Sequence, residues 1–133
     1  MIVLDEQLIG DPVPDEIRHW YRGHVTTIVQ LRPGTIILDD AIPTLLRTDR
    51  QPTFVTINVT DFWRKTAPDQ GFCIVCLAIT DRQVRDVSAL LRRLFTVPQF
   101  KTRRGRLGKI IRVSSGQILF YSTDSWRIQV LNW

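Results

Sequence analysis

Cysteine and histidine are scarce in this chain of 133 residues, which has two of each. Cys73 and Cys76 lie in the continuous apolar run 72–79, which is typical of a strand, and residues three apart on a strand face opposite sides of a sheet. A redox-active Cys-x-x-Cys pair normally opens a helix, where the thiol pKa is lowered. There is no second cysteine pair, so we interpret both cysteines as buried free thiols.

Long hydrophobic runs are also missing, and no stretch approaches the ~20 apolar residues that a membrane-spanning helix needs. The opening Met-Ile-Val-Leu-Asp-Glu is too short and too acidic for a signal peptide, and it is predicted to form a first strand. We therefore expect a cytoplasmic protein without a membrane partner. Gly105 and Gly108 lack both the spacing and the following helix of a phosphate-binding glycine loop.

The first part of the chain has few basic residues and the last part has few acidic ones, although the net charge of the whole chain is only +5. Residues 1–80 carry 7 Lys/Arg and 10 Asp/Glu, whereas residues 81–133 carry 11 Lys/Arg and 3 Asp/Glu. An acidic half joined to a basic half suits a metal-dependent enzyme that acts on a polyanion. The alternative is a solvated basic face that binds nothing specific.

Strand and helix patterns alternate over the first 97 residues, which predicts an α/β fold with a parallel sheet. Residues 98–133 change to a period of two, which predicts a basic loop followed by a β-rich C-terminal extension of the same single domain, 1–133. Asp11 is expected to belong to the turn that opens the first helix. The predicted strands are 2–5, 25–29, 54–59, 72–79, 109–113, 117–121 and 126–131, and the predicted helices are 14–22, a short one after Asp39-Asp40, and 81–95.

Acidic side chains follow several of the predicted elements. Functional groups of an open parallel sheet collect beyond the carboxyl ends of its strands, so we expect these acids to share one edge. Crowded carboxylates repel each other unless a cation is present, and Mg²⁺ and Mn²⁺ prefer oxygen ligands. As an alternative, one of Asp39 and Asp40, as well as Asp61, caps a short helix. The polar set is Asp5, Glu6, Asp39, Asp40, Asn58 and Asp61.

Five short segments, in this order and spacing, resemble the PIN-like domains of small bacterial proteins of the toxin-like or uncharacterised type. The resemblance covers roughly residues 1–97 and is looser over the C-terminal strands. It implies a three-layer α/β/α fold with a mainly parallel central sheet. The segments are Leu4-Asp5-Glu6, Arg22-Gly23-His24-Val25, Asp39-Asp40-Ala41-Ile42, Val55-Thr56 and Asp61-Phe62.

The resemblance implies a metal-dependent endoribonuclease, with an antitoxin protein as an expected partner. On that basis Asp5, Asp39, Asp40 and Asp61 are the catalytic carboxylates. Asp5, Asp61 and one of the Asp39/Asp40 pair, for which we select Asp40, are expected to hold Mg²⁺ or Mn²⁺, which would activate a water for attack on RNA. The supporting residues are Glu6, Thr56 and Asn58.

One departure from the family pattern favours a second hypothesis. Asn58 stands where the family has its first acid after Val-Thr, and an extra residue precedes Asp61. Asn still offers a carbonyl oxygen to a metal. The alternative function is a non-catalytic RNA-binding or protein-interaction module on a degenerate PIN-like fold.

The basic loop is predicted to hold RNA phosphates beside the acidic edge, without reading bases. Its cations are Lys101, Arg103, Arg104, Arg106 and Lys109.

Aromatic side chains provide two further hypotheses. Tyr121, Trp126 and Trp133 are candidates for stacking on bases, with ordinary packing as the alternative. Phe62, Trp63 and Trp133 are candidates for a homodimer contact.

Overall fold

Seven β-strands form one sheet in the computed structural model, which describes residues 1–10, 12–34 and 37–133. Asp11, expected to open a turn, lies outside these ranges. The strands are β1 (Ile2–Leu4), β2 (Val25–Thr27), β3 (Thr53–Thr56), β4 (Cys73–Leu77), β5 (Lys109–Val113), β6 (Gln117–Ser122) and β7 (Gln129–Asn132). Their spatial order is β2-β1-β3-β4-β5-β6-β7, and the first five run parallel. β6 pairs antiparallel with β5, and β7 pairs antiparallel with β6. The predicted α/β class with a mainly parallel sheet is confirmed.

Helices cover both faces of the sheet. They are α1 (Val13–Trp20), α2 (Ile28–Leu31), α3 (Ile42–Arg47), α4 (Val59–Phe62), α5 (Val87–Leu94) and α6 (Arg103–Arg106), with 3-10 segments at Glu6–Leu8, Asp39–Ala41 and Asp81–Asp86. Ile17 of α1 and Leu91 of α5 belong to one buried cluster, together with Val55 and Val75. On the other face, α2, α3 and α4 contribute Ile28, Ile42, Leu46 and Phe62 to a second cluster.

β4 lies at the centre of the sheet, as its continuous apolar sequence predicts. All five of its residues are buried. Cys73 belongs to the cluster on one face and Cys76 to the cluster on the other, and both are free thiols. Burial raises the pKa of each to about 12, so the interpretation as inert core thiols is confirmed.

Two predicted strands extend too far, because in each of them a threonine hydroxyl accepts a nearby backbone N–H where the chain leaves the sheet. The strand predicted at 25–29 ends at Thr27, whose hydroxyl accepts the Gln30 N–H at 3.2 Å and starts α2. The strand predicted at 54–59 ends at Thr56, whose hydroxyl accepts the Asn58 N–H at 2.9 Å. Both turns depend on local hydrogen bonds that compete with the sheet ladder.

The C-terminal strands continue the central sheet. β5 begins at Lys109, as predicted, and pairs in parallel with β4, so it is an internal strand. β7 begins at Gln129, three residues after the predicted start. Within the described ranges, no helix combines the length and apolar character needed to cross a membrane.

Candidate active site

The strand order creates a switch point at the carboxyl ends of β1 and β3. From β1 the chain goes to β2 on one side, and it then returns to β3 on the other side. Crevices at such points are the usual ligand sites of open α/β sheets. Asp5 directly follows β1, Asn58 follows β3, and Asp39 begins the 3-10 segment that follows α2. The sheet therefore brings residues that are far apart in sequence to one edge.

Asp5 is a buried carboxylate with fixed orientation. Its side chain is held on one oxygen by the Thr56 hydroxyl at 2.6 Å and on the other by the Glu6 N–H at 2.8 Å, and only 2% of the residue is exposed. Burial raises the pKa of Asp5, while these two hydrogen bonds oppose the rise. Glu6 is exposed, and its charge adds to the rise. Thr56 therefore orients Asp5.

Asn58 joins the other two acids. Its Nδ2 donates to Asp61 Oδ2 at 2.7 Å and to Asp39 Oδ2 at 3.2 Å. Its Oδ1 accepts the Asp61 N–H at 3.3 Å, so Asn58 rather than Asp61 caps α4. One amide thus holds two carboxylates side by side, because an NH₂ group offers two donors.

The two carboxylates perturb each other. Desolvation, a hydrogen bond with Asp61 and the charges of Asp5, Asp61 and Glu6 raise the pKa of Asp39 to about 6. The hydrogen bond from Asn58, followed by the one shared with Asp39 and the charge of Lys65, lowers the pKa of Asp61. Asp61 is exposed and Asp39 is half-buried. The two acids therefore lie close enough to perturb the pKa of each other.

Asp39, and not Asp40, is the member of the acidic pair that contacts Asn58. Asp40 is exposed and lines the cleft beside Asp61, so its selection as a metal ligand stays a prediction, while Asp39 is the member of the pair that the Asn58 contact favours. Asp39 lines both the cavity of about 290 Å³ that contains Asp5 and the cleft of about 560 Å³ that contains Asp61. Neither the 3-10 segment Asp39–Ala41 nor α3 has a side-chain cap, so the alternative that Asp39 or Asp40 caps a helix is wrong.

Two cations share the larger cleft with the acids, and sequence reasoning missed them. Arg47, at the end of α3, and Lys65, just after α4, are both exposed and line the cleft with Asp61. The signal for the second of them was its place in the sequence, because the basic pair Arg64-Lys65 closely follows Asp61. The sequence contained no comparable signal for Arg47.

The predicted basic loop lies at the opposite end of the sheet. Arg106 is 3% exposed, and it donates to the hydroxyl of Thr53, the first residue of β3, at 3.1 Å. β3 has four residues, so at ~3.3 Å per step Thr53 and Thr56 are roughly 10 Å apart. The expectation that this loop flanks the acids is wrong, and Arg106 is a packing residue rather than an RNA contact. The loop's exposed cations are Lys101, Arg103 and Arg104, and Lys109 at the start of β5 lies over the Phe100 ring.

The aromatic side chains proposed for contacts are mostly occupied within the fold. Phe62 is 1% exposed in the core, and Trp63 packs against the buried Tyr121 at 5.2 Å. Trp133 lies under the Arg93 guanidinium and donates to the Ser114 carbonyl at 2.9 Å. These contacts remove Phe62 from the predicted homodimer surface and Tyr121 from the predicted base-stacking set. Trp126 is 65% exposed.

The donor set at the switch point fits a hard divalent cation with two protein carboxylates. Within the described parts of the chain, no group of three or more His, Cys, Asp or Glu side chains is placed to hold a metal ion. Mg²⁺ is, however, usually bound through one or two carboxylates, with water and substrate phosphate completing its shell. Asp39 and Asp61, held together by Asn58, provide such a pair.

The fold and the site together define an α/β protein with a coupled carboxylate pair at the switch point of its sheet. No protein-family model, curated protein or solved structure matches this chain. A functional assignment therefore depends on the geometry described above.

Proposed function

We propose that this protein is a metal-dependent endoribonuclease of the PIN-like type, with its active site at the carboxyl ends of β1 and β3. The observation that carries the proposal is the Asn58 amide, which holds the Asp39 and Asp61 carboxylates together next to the buried Asp5. Two acids kept in such proximity destabilise each other, and a bound cation offsets this cost.

In this proposal Asp39 and Asp61 would hold Mg²⁺ or Mn²⁺, and Asn58 keeps the two side chains close together. When bound, the ion supplies positive charge for the phosphate and lowers the pKa of a bound water. Asp5, whose pKa is raised by burial, would accept a proton from the water that attacks phosphorus, and the leaving oxygen would take a proton from solvent as its bond to phosphorus breaks. Thr56 holds Asp5 in the orientation that this transfer needs.

The test is cleavage of an end-labelled single-stranded RNA by purified protein with Mg²⁺, with Mn²⁺ and with EDTA. Asp5→Asn and Asp39→Asn are each expected to lower the rate by about 100-fold or more, since the acid is lost with little change in shape. Asp40→Asn removes a neighbouring charge outside the Asn58 contact and is expected to keep most of the activity. Equal cleavage by wild type and Asp39→Asn would mean that a contaminating nuclease was being measured.

A second function is favoured by one observation. Asn58 stands where the PIN-like family has an acid, and the loss of that acid favours a non-catalytic RNA-binding module. That function requires RNA binding that is weakened by salt, unchanged by EDTA and not followed by cleavage. The cleavage assay together with a binding isotherm separates the two.

A further inference from the structure

The larger cleft at the switch point has a lining of both charges. Three acids, Asp39, Asp40 and Asp61, and two cations, Arg47 and Lys65, line it around a volume of about 560 Å³. An RNA backbone cannot approach bare carboxylates without nearby positive charge. The basic loop, which sequence reasoning assigned to this task, lies at the other end of β3. The cations that can serve this site are therefore those of the cleft itself.

We infer that Arg47 and Lys65 are the phosphate-binding residues of the cleft and hold the backbone of single-stranded RNA beside Asp39 and Asp61. This inference rests on the proposed function for its substrate class. Guanidinium and ammonium groups are the usual partners of phosphate oxygens, and they position a strand without selecting its bases.

Arg47 is restrained in a way that leaves it available to a ligand. Its Nη2 donates to the Thr44 hydroxyl at 3.2 Å within the same helix, and its Nη1 lies 3.5 Å from Asp69 Oδ2. Half of its side chain is exposed, so the ion pair with Asp69 is a weak surface contact. A phosphate that enters the cleft can replace Asp69 as the partner of this guanidinium.

Lys65 is positioned by a rigid segment. Arg64, just before it, has the left-handed φ of 62°, which reverses the chain after α4. Thr66, just after it, is buried, and its carbonyl accepts the Tyr121 hydroxyl at 2.7 Å. The backbone of Lys65 is therefore held on both sides, while its exposed side chain lines the cleft.

The lining of the cleft also indicates how the strand is recognised. Its other residues are Pro43, Thr66, Ala67 and the buried Phe72. Exposed aromatic faces, on which non-specific single-strand binders stack bases, do not occur among these lining residues. Backbone contacts therefore dominate, and the expected base preference is weak.

The test is the affinity for a fluorescein-labelled single-stranded oligoribonucleotide, measured by anisotropy in EDTA from 50 to 200 mM salt. The double variant Arg47→Gln/Lys65→Gln keeps the aliphatic stems and is expected to bind at least about tenfold more weakly. The salt slope, which is the slope of log binding constant against log salt concentration, is expected to fall in magnitude by about 1.4. Arg103→Gln/Arg104→Gln, which changes the net charge equally at the opposite end of the sheet, is the matched comparison and is expected to keep the wild-type slope. Asp69→Asn is expected to tighten binding, because it removes the carboxylate that competes for Arg47.

Cleavage kinetics separate this inference from the proposed function. If the RNA is cut in an Asp39-dependent way, Arg47→Gln/Lys65→Gln is expected to raise KM with little change in kcat. An unchanged KM and salt slope in that variant, or a larger loss in Arg103→Gln/Arg104→Gln, overturns the inference while leaving the nuclease intact. Binding that depends on Arg47 and Lys65 without any cleavage supports the inference and refutes the nuclease.

Discussion

Replacing Asp39 by Asn is expected to stabilise the metal-free protein at pH 8 and to remove its response to Mg²⁺. The pKa of Asp39 is raised from 3.8 to about 6, mainly by desolvation and then by Asp61. At ~1.4 kcal/mol per tenfold change in proton affinity, the full shift corresponds to about 3 kcal/mol. Asp39 is only half-buried, and solvent screening reduces the expected gain to about 1 kcal/mol, or about 3 °C in Tm.

The sign of the pH dependence follows from the raised pKa. The folded protein binds a proton at Asp39 more tightly than the unfolded chain does, so the charged form costs folding free energy above pH about 6. As the pH falls from 8 through about 6 toward 3.8, Asp39 takes up a proton in the folded protein, and the free energy of unfolding of the wild type is expected to rise toward that of Asp39→Asn. The Asn58 contact survives the substitution, since the Asn side chain keeps an oxygen that can accept from Nδ2.

The assay is thermal unfolding of wild type, Asp39→Asn and Asp40→Asn in EDTA at several pH values, repeated at pH 8 with increasing Mg²⁺. A ligand that binds only the folded state adds about 2.7 kcal/mol at 100 times its Kd, and this increment is expected in wild type and in Asp40→Asn alone. If Asp39→Asn unfolds at a lower temperature than wild type at pH 8, Asp39 is a structural hydrogen-bonding residue and the argument from carboxylate crowding is refuted.

Two further predictions concern the core. Arg106→Met is expected to cost about 2–4 kcal/mol in urea unfolding, because the buried acceptors of its hydrogen bonds, including Thr53 Oγ1, lose a charged donor. The exposed Arg103→Met is expected to stay within about 0.5 kcal/mol of wild type, and a similarly small effect at Arg106 would contradict its packing role. Cys73 and Cys76 are expected to resist iodoacetamide at pH 8 in the native state and to react after denaturation, which mass spectrometry measures, because burial raises both pKa values to about 12. Rapid native labelling would show that one of them is accessible.

Interactions that are local in sequence account for what was predicted correctly. The apolar run around β4 and the amphipathic pattern of α5 depend on periodicity, and each element lies within the range predicted for it. The interpretation of the cysteines succeeded for the same reason. Both elements are shorter than predicted: β4 spans Cys73–Leu77 of the predicted 72–79, and the predicted helix 81–95 begins as a 3-10 segment, Asp81–Asp86, before α5. Strand ends were less predictable. Threonine is compatible with a strand, but the Thr27 and Thr56 hydroxyls also accept backbone N–H groups that turn the chain away, and neighbouring hydrogen bonds decide between the two.

The candidate site was predictable in its location but not in its contacts. Parallel strands collect their carboxyl ends at one edge, and this was enough to gather Asp5, Asp39 and Asp61 from the sequence. The choice between Asp39 and Asp40 depends on which side chain the 3-10 segment turns toward Asn58. A rotation of about 100–120° per residue separates the two, and no composition or spacing argument resolves it.

The sequence by itself determined that this protein has an α/β sheet with acids after its strands, since hydrophobic period and strand-end polarity are local properties. Only the tertiary structure decided that Asn58 joins Asp39 to Asp61, that Arg47 and Lys65 share their cleft, and that Arg106 is buried at the far end of β3. The physical reason is that charged groups interact according to their distance in space, which their separation along the sequence does not give. The most basic segment of the chain lies away from the acids, while the two cations that face them belong to the acidic half.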